Sequence, residues 1–492
     1  MRFKKQKFLG FFCNIVIVIN LLTFTSTSLL VFDMELKHIK NDHIYGKNDF
    51  SSTLSSSSNV ISKHILPGGI STTEIFTLKI ALGTPEQYFD VIYDTRGYHL
   101  WLTSEEFQGC VNCKIFDFTK SSTFQKTDFR RTIKHDDYSI LGFEVSDKIN
   151  ILDKKFRFDW FLADYVNLRL NDADGVIGFA RNFTPVEGNS FVSTKFSMLD
   201  ALFNQNIIEK QVFSQVFTDA DHTKAKFYIG EYPEFFSDSS NYSVCNVIKS
   251  EHFLAKTTLK NLWTCRLSYI LIGDAKSDDF DNISHKLNSR AVFDSVSNFI
   301  SAPYEVLEII QTSFNIFEHC IIEFDTDTGV ESILCPKEFD VSLAPEMSII
   351  FNGFAYTIPS SKLFREFIVN GQKRLAFVIN FSKQLDYWII GQYFMRNFNM
   401  LFDKDRNVIG FNGEKEYIRD FSKFTTDDDF YLSEHLSIII LSAIIALFII
   451  GSITFMCVFY MKRKRDQLAK NQRRKSSKTG IINESGNYHR LQ

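Results

Sequence analysis

Two aspartates 200 residues apart, Asp94 and Asp294, sit in near-copies of one phrase. VIYDTRGYHLW and AVFDSVSNFISAP each run apolar residues into an aspartate, a hydroxyl residue and a turn. Each copy is followed by an apolar element closing on glycine, DGVIGFA at Gly178 and YWIIGQYF at Gly391. A chain that ends two buried strands in Asp-Thr and Asp-Ser brings two carboxylates to one seam. Carboxylates that close cannot both ionise, so one holds a proton as an acid while the other serves as a base. Such a pair activates a water toward a peptide carbonyl and protonates the carbonyl oxygen. That chemistry needs no metal and no cofactor, and none is expected.

The elements that must position these residues follow a recognisable order. TLKIALGTPEQYFDVIYDT, KIFDFTKSSTFQKT, DGVIGFA, VFSQVF, FYIGEYPEFF, IIFNGFAYTIP and YWIIGQYFMRNFNMLFDKDRNVIGF succeed one another between about residues 73 and 415. In that order they resemble the pepsin-like aspartic peptidases. The resemblance implies an all-β, bilobal fold of two barrel-like lobes with a cleft between them. It places the catalytic pair at Asp94 and Asp294, and makes Thr95 and Ser295 the hydroxyls that tie the two loops together. Ser297 would support the second aspartate. The short runs broken by Gly, Asn, Asp and Pro agree with a mostly β reading. SMLDALFNQNIIEKQ and APYEVLEIIQTSF have helical spacing.

Both active-site motifs depart from the family pattern. Glycine follows Asp-Thr or Asp-Ser in the family; here Arg96 and Val296 stand there. Glycine permits tight backbone packing around the carboxylates, whereas valine is stiff and branched. Arginine adds a cation, which near the pair favours ionising both aspartates. Gly97 replaces the serine that supports the first aspartate. TIKHDDYSILG puts His135 at the flap tyrosine position and Asp136 at its glycine, with Tyr138 three residues on. Two readings follow. One is a peptidase homologue of impaired or absent activity that binds extended peptide in the cleft. The other is an active endopeptidase with an eccentric site. Fold alone does not decide between them.

Residues 1–28 have a basic start, an apolar stretch and small polar residues, as a secretory signal peptide does. Residues 29–72, with SSTLSSSS, read as a prosegment or a poorly ordered linker. In the family the corresponding stretch carries a lysine that plugs the catalytic pair, and LKHIK echoes it. The peptidase domain is expected over 73–418, its N-terminal lobe about 73–245 and its C-terminal lobe about 246–418. An acidic connector occupies 419–435. Residues 436–460 run without a charge, long enough to cross a bilayer, and MKRKR behind them marks the cytoplasmic side. The tail 461–492 holds ten Lys or Arg against Asp466 and Glu484. This predicts a single-pass type I membrane protein of the secretory pathway, cell surface or endosome/lysosome, with the peptidase domain luminal or extracellular. Tyr488-His489-Arg490-Leu491 fits a tyrosine-based sorting signal.

Six cysteines lie between the two apolar runs, as Cys110/Cys113, Cys245/Cys265 and Cys320/Cys335. The first and last pairs occupy the family's usual disulfide loops; the middle pair does not. A zinc half-site would need a second CxxC or paired His, and none follows. Sequons stand at Asn182, Asn241, Asn282 and Asn380, and some are expected to carry glycan. The net charge of −3 gives no reason to expect nucleic acid as a partner. The 52 phenylalanines replace Leu and Val in the strands and reflect compositional bias. The expected partners are a peptide or protein in the cleft and the membrane around the anchor.

Overall fold

The computed structural model describes residues 29–40, 72–105, 113–134, 139–166, 173–181, 196–248, 262–274, 283–314, 319–326, 329–369, 372–422 and 428–484. His135, Tyr138, Cys110, Asn182, Asn282, the leader 1–28 and residues 488–491 lie outside them. The chain divides into two units, 1–425 and 426–492.

Alternation of apolar and polar residues builds the first strand. In β1 (Leu30–Lys40), Leu30, Phe32, Met34 and Leu36 are all buried, one face of a period-two strand. β1 pairs antiparallel with Lys224–Ile229 on one side and with β2 (Thr72–Leu82) on the other. Leu30–Lys40, in the stretch expected as a prosegment or a poorly ordered linker, is therefore an interior strand and not poorly ordered. Lys37 of LKHIK pairs with Asp90 at 3.1 Å, not with the aspartate pair.

Two sheets account for most of the first unit, of thirteen and eleven strands among the described residues. The first sheet runs from Ser243–Asn246 through Val408–Asn412, Asn399–Asp403, Val212–Phe217, Lys224–Ile229, β1 and β2 to β3 (Gln87–Asp94), and on to Gln125–Lys134. Its two strands from residues 399–412 come from the stretch assigned by sequence to the second lobe. They pair with Val212–Phe217 and Ser243–Asn246, so the lobes share one sheet instead of parting cleanly near residue 245. The physical reason is burial: Met400, Leu401, Phe402, Ile409 and Phe411 are all in the core.

The two halves repeat one device. β3 lies parallel to Gly175–Gly178, with Asp94 opposite Gly178. Ser284–Phe293 lies parallel to Trp388–Ile390, with Phe293 opposite Ile390. Each aspartate loop then crosses over its glycine. A Cβ on Gly178 would sit 2.4 Å from the Gly97 carbonyl oxygen, and one on Gly391 would sit 2.2 Å from that of Phe299. No side chain fits at either crossing, which explains why both elements close on glycine.

The two segments with helical spacing form Met198–Asn204 and Glu305–Phe314. Ser197 caps the first, its hydroxyl accepting from the Asp200 amide at 3.3 Å. The second buries Val306, Leu307, Ile310 and Phe314 along one stripe. Cys245–Cys265 and Cys320–Cys335 are the two disulfides with both partners among the described residues. Cys113 is also disulfide-bonded. Cys245–Cys265 ties Ser243–Asn246 of the first sheet to Thr264–Ile272 of the second. The connector expected over 419–435 is divided: Ile418–Asp420 pairs with Phe354–Ile358, and a helix begins at Asp428.

The second unit is the helix Asp428–Glu484. Within Ile440–Arg474 it carries a run long and apolar enough to cross a membrane.

Candidate active site

Asp94 and Asp294 each emerge at the end of a buried strand and are 2% and 1% exposed. The structure brings them to one seam together with Thr95, Ser295 and Ser297. Thr95 and Ser295 clasp each other: the Thr95 amide donates to Ser295 Oγ and the Ser295 amide to Thr95 Oγ1, both at 3.0 Å. The hydroxyls in turn donate onward, Thr95 Oγ1 to the Phe293 carbonyl and Ser295 Oγ to the Tyr93 carbonyl, each at 2.7 Å. Every polar atom of the clasp is thereby satisfied across the two halves, as buried groups require.

Asp294 is held by the amides of Val296 (2.9 Å) and Ser297 (3.2 Å) and by the Ser297 hydroxyl (2.8 Å). Asp94 accepts from the Arg96 amide at 2.7 Å and from the Gly97 amide. The amide function that glycine serves in the family therefore survives at both replaced positions. Neither Arg96 nor Val296 is among the described residues with positive φ, so the backbone there does not demand glycine. Val296 instead packs against the cluster of Ile75, Ile92 and Trp101. The replacement changes what the side chain does, not what the backbone does.

The Arg96 side chain decides the character of the site. It crosses the seam, and Nη1 donates to Asp294 Oδ2 at 3.1 Å, with both groups buried. Asp294 Oδ2 is thus shared between this guanidinium and the Ser297 hydroxyl. The Asp94 carboxyl is pushed up to about 6, first by burial and then by the charge of Asp294, against the pull of the Arg96 and Gly97 amides and the Arg96 charge.

Three residues that support the site were not singled out in the sequence. Tyr93 donates to Gln215, and Gln392 Nε2 donates to Tyr93 Oη (3.0 Å) and to the Ser295 carbonyl (2.8 Å). Gln392 directly follows Gly391, the one local signal that marked it. This buried chain braces both loops from beneath.

The sequence matches the family model described as eukaryotic aspartyl protease over residues 75–413. The chain belongs to this family. It is 24% identical to pepsin A of Gallus gallus over 345 residues, covering 67% of this chain and 82% of that protein. Renin-2 of Mus musculus is 23% identical over 348 residues, 68% of this chain and 78% of its own. Chymosin of Bos taurus is 23% identical over 342 residues, 68% and 79% respectively. The family match covers both aspartate loops and leaves out β1 and the C-terminal helix.

Among the expected glycan acceptors, Asn241 is exposed. Asn380 is fully buried in the strand Gln372–Ser382, where it accepts from Ser332 Oγ at 3.1 Å. A glycan at Asn380 is incompatible with this packing.

Proposed function

We propose that this protein is a membrane-anchored pepsin-like peptidase homologue whose proteolytic activity is impaired or absent and whose interlobe cleft binds extended peptide. The observation that carries the reading is the buried ion pair between Arg96 and Asp294. The two-aspartate mechanism needs one proton shared between the carboxylates. A guanidinium fixed on Asp294 favours its ionised form, lowers its basicity toward water and fills space beside the pair. The remaining roles are assigned accordingly: Asp94 and Asp294 as the catalytic-type pair, Thr95, Ser295 and Ser297 as loop supports, and His135 and Tyr138 in the flap.

The anchor is the charge-free run 436–460, with Lys462, Arg463, Lys464 and Arg465 behind it on the cytosolic side. The disulfides suit an oxidising compartment, hence a luminal or extracellular peptidase domain.

One observation favours an active endopeptidase instead. With its carboxyl pushed up to about 6, Asp94 holds a proton in acid, as one member of a working pair must. The discriminating experiment uses the full-length chain in detergent, a denatured protein substrate and pH 3–6. The expected result is no measurable turnover, with binding of extended peptides that persists in Asp94→Asn and Asp294→Asn. Turnover of about 1 per second or faster, abolished by either substitution, establishes the active reading.

A further inference from the structure

The seam carries more positive charge than the aspartate pair accounts for. Arg396, buried just past the short helix Gln392–Met395, donates from Nη1 to Glu74 and from Nε to the His222 carbonyl at 3.2 Å. Three residues before Arg396, Tyr393 offers its ring to Arg365, whose guanidinium carbon lies 5.2 Å from the ring centre. Lys362 precedes Arg365 by three residues and, like it, is half-buried. The His222 ring stacks on Phe217 at 4.8 Å beside them.

The acids do not balance these cations. Glu74 is engaged by Arg396. Among the described residues neither Lys362 nor Arg365 has a salt bridge, and Arg365 Nε is buried without a hydrogen-bond partner. Glu414 acts on Lys362 only at longer range. Asp219, which acts on His222, is taken up by the Thr223 hydroxyl and the Lys224 amide. Burial first, then the neighbouring cations, push both Lys362 and Arg365 below their usual values, against the weaker pull of Glu414 on Lys362 and of Glu74 on Arg365. An unpaired, partly buried cation is costly, and a bound anion relieves it.

The cluster adjoins the loop that follows Asp294. The Asn298 side-chain amide, one residue past Ser297, lies against the Glu74 backbone, and with its nitrogen turned toward the Glu74 carbonyl it donates there (2.6 Å) and accepts from the Glu74 amide (3.1 Å). Tyr393 donates its own amide to the Asn298 carbonyl at 2.8 Å. Arg396 from the second half therefore meets β2 of the first beside the loop that follows Asp294.

We propose that Lys362, Arg365 and Arg396 form an oxyanion-binding site that takes a carboxylate or phosphate group presented at this seam. Two guanidinium forks and an ammonium suit such a group, which the forks can grip through paired N–H donors. Glu74 keeps Arg396 oriented and competes with the incoming anion. If the cleft holds peptide as proposed above, the anion is an acidic side chain of that peptide; the site itself does not depend on that reading.

The test titrates inorganic phosphate into the full-length chain in neutral detergent, at constant ionic strength made up with chloride, following thermal unfolding. Phosphate raises the midpoint saturably. Lys362→Gln and Arg365→Gln each weaken its binding about tenfold, the loss of one charge-assisted contact. Glu74→Gln tightens it, while Lys373→Gln, an exposed cation paired with Glu366, leaves it unchanged. An extended peptide bearing one Glu competes with phosphate and its Gln counterpart does not. Absence of a phosphate effect overturns the site, as does an effect that survives undiminished in both Lys362→Gln and Arg365→Gln. Phosphate binding without competition by the acidic peptide upholds the site, assigns it to a free anion and removes support from the peptide reading.

Discussion

Thr95 and Ser295, 200 residues apart, each accept a hydrogen bond from the other's backbone amide at 3.0 Å. The reciprocity makes the two aspartate loops one structural object, since moving either loop strands an amide and a hydroxyl of the other. Thr95→Val or Ser295→Ala leaves a buried amide unsatisfied and is expected to cost about 1–3 kcal/mol. The double variant should cost clearly less than the sum, because the first change already breaks the clasp. Urea unfolding of the four proteins measures this, and strict additivity contradicts the coupling.

The disulfide Cys245–Cys265 links the edge of the first sheet to the second across a separation of 20 residues. Closing a loop of that size is worth about 3 kcal/mol in the chain-entropy account. Cys245→Ser with Cys265→Ser should lower stability by that order without changing the fold. Non-reducing peptide mapping should recover this pair and Cys320–Cys335. A free thiol at Cys320 or Cys335 would count against an oxidising compartment.

Much of the fold can be read from the sequence because buried strands dictate their residues. The runs ending at Asp94 and Asp294, and the glycines at 178 and 391, are fixed by close backbone approach, which leaves little choice of residue. β1 escaped notice for the opposite reason. LVFDMELKHIK alternates cleanly, but it adjoins a polar, Ser-rich stretch whose composition masked a local period. Arg96 was visible as a departure, yet its direction was not, since a long side chain has many rotamers and only the neighbouring loop selects one. Gln392 and Arg396 meet partners 299 and 322 residues away, and no local pattern announces such contacts.

Burial separates two of the sequons that the sequence alone treats alike. Asn380 and Ser382 both lie inside the strand Gln372–Ser382 and are almost wholly shielded, whereas Asn241 is exposed. The folded protein should carry glycan at Asn241 and none at Asn380. Mass mapping after glycosidase treatment distinguishes the two. An occupied Asn380 in folded material would show that this strand is placed wrongly.

The raised carboxyl of Asp94 has a consequence for stability. Its value lies above that of the unfolded chain, so between about 4 and 6 the native state binds more protons than the unfolded state. Stability on this account falls as pH rises through that window, by on the order of 3 kcal/mol in total, and is level outside it. Asp94→Asn cannot titrate and should flatten this part of the profile, gaining most over wild type at neutral pH. Unfolding midpoints from pH 3 to 8 for both proteins test it. A profile unchanged by the substitution would mean that burial does not raise Asp94.

The ion pair between Arg96 and Asp294 leads to the sharpest prediction about activity. Arg96→Gly removes the cation from Asp294 while keeping the amide that holds Asp94. Val296→Gly relieves the branched side chain beside the second loop, although the amides there are already in place. Arg96→Gly should therefore contribute more than Val296→Gly, an asymmetry that simple counting of lost glycines does not give. Gly97→Ser should restore a hydroxyl to Asp94 like the one Ser297 gives Asp294, and His135→Tyr should restore the flap tyrosine. The four changes together should raise acid proteolysis by about 100-fold or more, the scale of recovered acid–base function. The gain should exceed the product of the single effects, because the pair works as a unit. Asp94→Asn or Asp294→Asn in the repaired protein must abolish it. If Arg96→Gly lowers an activity that wild type already has, the guanidinium is part of a working site and the impaired reading fails.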